Sequence, residues 1–169
     1  MPAVHDHGVV RRVAILGRGG AGKSTLARQL GEVTGLPVIE LDSLFWHGKH
    51  AAADPAEWTE RQRELVRRDR WILDGDLGPY DRALGVRLRA ADTIIILNFG
   101  FLRCAWRTLL RGHEQAEYWR WIWTYRRQSL PRIIRAIRQH APHARLYVLR
   151  HPGMARRLLA EIRRACSGR

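Results

Sequence analysis

The sequence predicts an α/β fold, a five-stranded parallel sheet flanked by helices, and three observations carry that prediction. Short apolar runs alternate with longer stretches whose apolar residues recur at helical spacing. A glycine-rich segment joins the first run to the first such stretch, and two later runs finish on a carboxylate. Continuous apolar runs suit strands buried on both faces, the condition that a helix-covered parallel sheet imposes.

The first run, Val13 to Leu16, leads into GRGGAGKS at residues 17–24, which meets the phosphate-binding pattern G-x-x-x-x-G-K-[ST] at every fixed position. Ser24 to Leu30 then has helical spacing, so the loop lies between strand and helix. Glycines let the backbone turn tightly and aim its N–H groups at phosphate oxygens, and the helix N-terminus adds a favourable dipole. The candidate nucleotide-binding set is Gly17, Gly19, Gly20, Ala21, Gly22, Lys23, Ser24 and Thr25. Lys23 is one of two lysines, and the other 28 basic residues are arginine. A compact ammonium on a flexible stem reaches the β- and γ-phosphates of ATP where a planar guanidinium does not fit. The Ser24 hydroxyl is the expected protein ligand to Mg²⁺.

The second run, Leu36 to Leu41, is read as a strand ending in Asp42, which either faces an acceptor hydroxyl, holds a magnesium-bound water or caps the strand. Ligands in α/β sheets bind beyond the carboxyl ends of strands. Trp46 follows, able to wall a substrate pocket or close the core. After an alanine-rich loop, Asp54-Pro55-Ala56-Glu57 opens a helix with a capping-box pattern and proline at its first position, which places Trp58, Gln62, Leu65 and Val66 on one side. The third run, Trp71 to Leu73, ends in Asp74-Gly75-Asp76. An acidic strand end beside a phosphate loop suits Mg²⁺, which is held by few carboxylates together with substrate phosphates, and Asp74 takes that role. Thr93 to Leu97 and Arg145 to Leu149 complete the sheet.

Between the last two strands, Arg103, Arg107 and Arg111 recur at helical spacing on roughly one face. A second helix is expected from Tyr118 to Gln128, with Trp119, Ile122 and Trp123 on an apolar side, Arg126 and Arg127 at its end and a break at Pro131. A tryptophan stripe of this kind belongs to a core or, in a second reading, stacks on nucleic-acid bases.

The net charge of +14 is distributed unevenly: residues 1–99 carry 14 basic and 13 acidic side chains, and residues 100–169 carry 16 and 3. The basic half is therefore a surface for nucleic acid or lipid, a field focused on a polyphosphate, or a solvated arginine-rich face. No apolar run is long enough to span a bilayer and the first residues lack a signal-peptide core, so no membrane partner and a cytoplasmic location are expected. Cys104 and Cys166 offer no disulfide framework, and His5 with His7 or His47 with His50 lack a third metal ligand. Segment 1–9 is expected to be flexible, and residues 10–165 to form one domain.

The segments GRGGAGKSTLARQL, LPVIELDSLFW, WILDGD and RLRAADTIIIL, in this order, resemble the adenylate-kinase-like P-loop proteins of the DNA topology modulation, or FlaR-like, family, over residues 10–162. The resemblance implies a P-loop NTPase fold of the nucleoside-monophosphate-kinase type. It implies that Asp74-Gly75 is the strand-end pair of adenylate kinases, that Arg87 lies on the acceptor side, and that Arg107 and Arg111 lead into a short lid around residues 103–128. Arg82 joins Arg87, Asp42 and Trp46 in the candidate acceptor set. The chain departs from the family at Asp76-Leu77, where Asn-Tyr is usual, and at Asn98-Phe99-Gly100, where Asp and Pro are usual. The expected function is ATP-dependent, Mg²⁺-assisted phosphoryl transfer to a small nucleotide-like or hydroxylated acceptor, with Lys23, Arg107, Arg111, Arg126 and Arg127 catalytic. The alternative is an ATP-binding, nucleic-acid-associated protein using the arginine-rich C-terminal face.

Overall fold

Apolar continuity places the strands where the sequence predicts them. In the computed structural model, β1 (Arg12–Gly17) is followed by α1 (Lys23–Thr34), β2 (Val38–Glu40) and a short α2 (Leu41–Phe45). A two-stranded hairpin of β3 (Trp46–His47) and β4 (Ala51–Ala52) leads to α3 (Pro55–Val66), β5 (Trp71–Asp74) and α4 (Leu84–Ala90). Then come β6 (Thr93–Leu97), α5 (Phe101–Leu109), α6 (Ala116–Thr124), α7 (Ser129–His140), β7 (Arg145–Leu149) and α8 (Pro152–Ser167). The structure describes residues 10–47, 51–110, 112 and 116–168. Segment 1–9, Arg111, His50 and residues 113–115 of the expected lid lie outside the described residues.

The five-stranded sheet has the order β2-β5-β1-β6-β7 with every pairing parallel. β1, β5 and β6 are buried from end to end apart from Arg12, which explains why they read as unbroken apolar runs rather than alternating ones. Alternate residues serve two cores. Ala14, Leu16, Leu73, Ile94 and Ile96 pack with Leu41, Phe45, Trp58, Leu88, Ile133 and Ile137 on one face. Val13, Ile15, Ile72 and Ile95 pack with Leu26, Leu30, Leu158 and Ile162 on the other.

Local signals fix the ends of several helices. The Asp54 carboxylate accepts the amides of Ala56 at 2.9 Å and Glu57 at 3.1 Å, with Pro55 at the first helical position, as its sequence predicts. Gly35 ends α1 in the left-handed conformation and returns its amide to Gly31.

Two expectations change. Asp42 belongs to the first turn of α2, because the chain leaves the sheet after Glu40 and buries Leu41 and Phe45 on a helical face. The helix expected over 118–128 stops at Thr124, and Pro131 lies inside the first turn of α7, where its missing N–H breaks no helical bond. No helix among the described residues is long and apolar enough to cross a membrane.

Candidate active site

Parallel register aligns the carboxyl ends of the strands, with Glu40 opposite Asp74 and Gly17 opposite Leu97. The phosphate loop leaves the sheet from its central strand, β1, and enters α1 through Gly22, whose φ of 94° puts it in the left-handed region. Gly22 brings no side-chain cap and the first turn of α1 holds no acidic residue. The loop and helix amides therefore keep their capacity for an external anion. Gly17 has φ 146°, and a β-carbon there would stand 2.7 Å from the Leu97 carbonyl oxygen, so only glycine fits between β1 and β6. Lys23 Nζ donates to the Arg18 carbonyl at 3.4 Å, folding the ammonium back over the loop.

Asp74 lies below the loop, almost fully buried. Burial raises its carboxyl above the ordinary carboxylate range, while a hydrogen bond from Ser24 and the charge of Lys23 oppose that rise. Its Oδ1 is buried without a protein hydrogen-bond partner. A hard oxygen left unsatisfied next to the Ser24 hydroxyl is a donor set that fits Mg²⁺. Asp42 is open to solvent along the cleft, yet the surrounding protein raises its carboxyl too; Lys23 lowers it and Asp76 raises it further. Two carboxylates that resist ionisation beside one ammonium make a site that gains from an added cation.

A cavity of about 710 Å³ joins the loop to the region beyond it. Gly19, Gly20, Gly22, Lys23 and Ser24 form one end, while Asp42, Trp46, Leu77 and Tyr80 form another. Tyr118, Arg120, Trp121 and Thr124 of α6, with Gln128, Ser129 and Arg132 leading into α7, roof it. Trp46 meets Tyr80 edge-on at 5.5 Å, and Phe45 beneath Trp46 at 4.9 Å ties this wall to the core. Trp46 thus lines the cavity and also packs against the core.

The helices over the loop touch it closely. A β-carbon on Gly20 would collide with the Cys104 carbonyl, and one on Gly19 with the Tyr118 hydroxyl. Arg107 Nη1 would stand 3.4 Å from a β-carbon on Gly22, which puts this guanidinium at the loop. Arg126 is occupied differently: it donates to Asn98 Oδ1 at 3.0 Å and to the Asn98 carbonyl at 3.3 Å. Arg126 and Arg127 are exposed and do not line the cavity.

The structure does not bring Arg82 or Arg87 to the cavity. Arg82 is exposed, and Arg87 is completely buried, paired with Asp81 and donating to the Gly75 carbonyl at 3.2 Å. A guanidinium sequestered from solvent cannot meet an acceptor phosphate, so its work is structural. The expected tryptophan stripe also separates. Ile122 is buried, Trp119 is half-buried and Trp123 is 65% exposed, while Trp121 and Tyr118 turn toward the loop.

Sequence reasoning missed Asp76, Tyr118, Trp121, Tyr125 and Arg132. Asp76 had a visible signal, a second carboxylate in a glycine-bounded strand end. The aromatic residues had none, because neighbouring positions on α6 and just beyond it face the core, the loop and solvent in turn.

No protein-family model matches the chain, and no curated protein sequence does. Solved structures do resemble it. Shikimate kinase from Acinetobacter baumannii in complex with shikimate superimposes with a TM-score of 0.60 at 21% identity, over 90% of each chain. Shikimate kinase from Bacteroides thetaiotaomicron gives 0.58 at 17% identity, covering 94% of this chain and 99% of that one. A gluconokinase from Sinorhizobium meliloti 1021 gives 0.53 at 16%, covering 94% and 90%. The fold is that of the P-loop NTPases, in the form seen in small-molecule kinases.

Proposed function

We propose that this protein transfers the γ-phosphoryl group of ATP to a small hydroxylated or nucleotide-like acceptor. One observation carries the reading: a single cavity holds both the phosphate-loop residues Gly19, Gly20, Gly22, Lys23 and Ser24 and the acceptor candidates Asp42 and Trp46. Donor and acceptor held side by side in one cavity need no further encounter, which is how phosphoryl transfer is accelerated by positioning.

In this reading Lys23 and the loop amides, with Ala21 and Thr25 flanking, hold the β- and γ-phosphates. Ser24 and Asp74 hold Mg²⁺, which when bound neutralises phosphate charge. Asp42, whose raised pKa makes it a stronger base than an ordinary aspartate, takes the acceptor's hydroxyl proton. The acceptor oxygen bonds to the γ-phosphorus as the bond to the bridging oxygen breaks, and ADP leaves. Arg107 offsets charge on the transferring group, and Arg111, Arg126 and Arg127 join it as α5 and α6 close as a short lid over residues 103–128. Trp46 packs against the acceptor, and Arg132 is a cation at its rim.

The names of similar structures, shikimate kinase and gluconokinase, support a hydroxylated small-molecule acceptor. The resemblance to adenylate-kinase-like DNA topology modulation proteins supports the lid and the 10–165 domain as proposals. Acceptor-dependent ADP release should be measured with ATP and Mg²⁺ across hydroxy acids, sugars, nucleosides and nucleoside monophosphates. One acceptor class is expected to stimulate release, and Lys23→Ala to reduce that stimulated release steeply. Intact MgATP binding with no response to any acceptor sinks the kinase reading, and steeply salt-dependent nucleic-acid binding would then favour the alternative.

A further inference from the structure

We propose that Asp76 and Tyr125 are positioning residues that couple the helices over the cavity to the phosphate loop, so that the loop takes its phosphate-binding shape only while α6 is docked. The proposal rests on the nucleotide-binding reading above and adds a link that neither the loop motif nor the acceptor site contains.

The Asp76 carboxylate lines the cavity, yet its bonding capacity is directed into the protein. Oδ2 accepts the Gly17 amide at 3.2 Å and the Tyr125 hydroxyl at 2.8 Å, and Oδ1 accepts the Gly78 amide at 3.1 Å. With three of its roughly four lone-pair positions filled, this carboxylate is a fixture rather than a free base. Gly17 is the first residue of the phosphate loop, and its amide is linked through the Asp76 side chain to Tyr125, the residue that follows the end of α6. The bond from Tyr125 to Asp76 joins residues 49 positions apart, so it exists only when the roof is in place.

Tyr125 holds the next loop residue as well. Its ring centre lies 5.6 Å from the Arg18 guanidinium, and that of Phe101 of α5 lies 5.8 Å from the same group. Arg18 is 2% exposed, and its carbonyl is the one that receives Lys23 Nζ. One fully buried tyrosine therefore restrains residue 17 through its hydroxyl and residue 18 through its ring. Burial and the Asp76 charge keep the hydroxyl protonated, because they raise its pKa well above 10, so the donor persists across the working pH range.

Calorimetric titration with MgATP, without acceptor, tests the coupling in the parent protein, Tyr125→Phe, Asp76→Asn and the double variant. Tyr125→Phe keeps the ring and removes one bond to a charged group, for which roughly tenfold weaker MgATP binding is expected. The double variant should lose little more than the worse single one, because the Tyr125 hydroxyl reaches Gly17 only through the Asp76 carboxylate. Ile122→Val, in the buried face of α6, is the control for mere loosening. It should bind MgATP like the parent even where its melting temperature falls as far as that of Tyr125→Phe. Parent-like affinity in Tyr125→Phe, equal weakening in Ile122→Val at matched stability, or additive losses in the double variant would each overturn the coupling. If the double variant does not fold, Tyr125→Phe against Ile122→Val decides. A parent protein that binds no MgATP overturns the nucleotide-binding reading itself, and the coupling with it.

Discussion

Strands β1, β5 and β6 bury nearly all of their side chains, whereas α5, its cap Leu110 and α6 leave Leu102, Trp106, Leu109, Leu110 and Trp123 between 60% and 82% exposed. The two regions meet at the phosphate loop and are held by different forces. The sheet is covered by a core on each face, so its geometry is over-determined by packing. Among the described residues of α5, α6 and their flanks, few groups are buried: Cys104 and Thr108 from α5, Ile122 from α6 and Tyr125 just beyond it. Its attachment depends on close backbone approach at Gly19 and Gly20 and on hydrogen bonds such as that of Tyr125. A rigid floor with a lightly fastened roof is what a site must have if it is to admit a substrate and then exclude water.

The largest expected effect breaks the floor. Asp81→Ala strands the Arg87 guanidinium without its ion-pair partner in a fully buried position, and the loss should be about 3–5 kcal/mol of folding stability. Chemical denaturation measures it; a loss below 1 kcal/mol, on the order of an exposed pair, would mean that the pair is solvated. Next comes chemistry without stability. Lys23→Ala should lower turnover by about two to three orders of magnitude, the scale for losing one charged transition-state contact, with melting unchanged. A folded variant with parental turnover removes Lys23 from the mechanism.

A smaller effect, of opposite sign in stability and activity, is expected at Asp74. Its folded-state pKa is raised by burial, so the ionised form is disfavoured in the native state. The stability it contributes is present below the unfolded pKa of about 4 and is lost as pH rises through the folded value. Asp74→Asn should therefore melt higher than the parent at neutral pH, by a margin that closes as pH falls toward 4, while Mg²⁺-dependent turnover is lost. Equal melting profiles across that range would show that the carboxylate is not desolvated. The smallest effect belongs to the roof's outer face. Trp106→Ser removes a side chain that is 63% exposed and should change folding stability by no more than about 0.5 kcal/mol. A larger change, read by denaturation, would mean that this face packs against something in solution.

The phosphate loop, the five strands and the α3 cap were legible because each is specified over a few consecutive residues. Gly17 to Ser24 states its own spacing, apolar runs state burial, and Asp54-Pro55 states a helix start whose bonds the structure contains. Asp42 was legible as a site candidate but not as helical, since Leu41 and Phe45 are as apolar as a strand and differ only in what they pack against. Arg87 was misplaced for a related reason: arginine in a short helix reads the same whether it faces solvent, substrate or Asp81.

By itself, then, the sequence determined the fold class, the place of the phosphate loop between a strand and a helix, and two candidate carboxylates, because local spacing and apolar runs are properties of the chain. Tertiary structure alone decided which arginine reaches the loop, which is locked away, and which aromatic rings of α6 turn toward the cavity. It also decided that Asp76 would join Gly17 to Tyr125. Those outcomes depend on contacts between residues tens of positions apart, and a helix that rotates by a fraction of a turn exchanges its core, site and solvent faces while its sequence pattern stays the same.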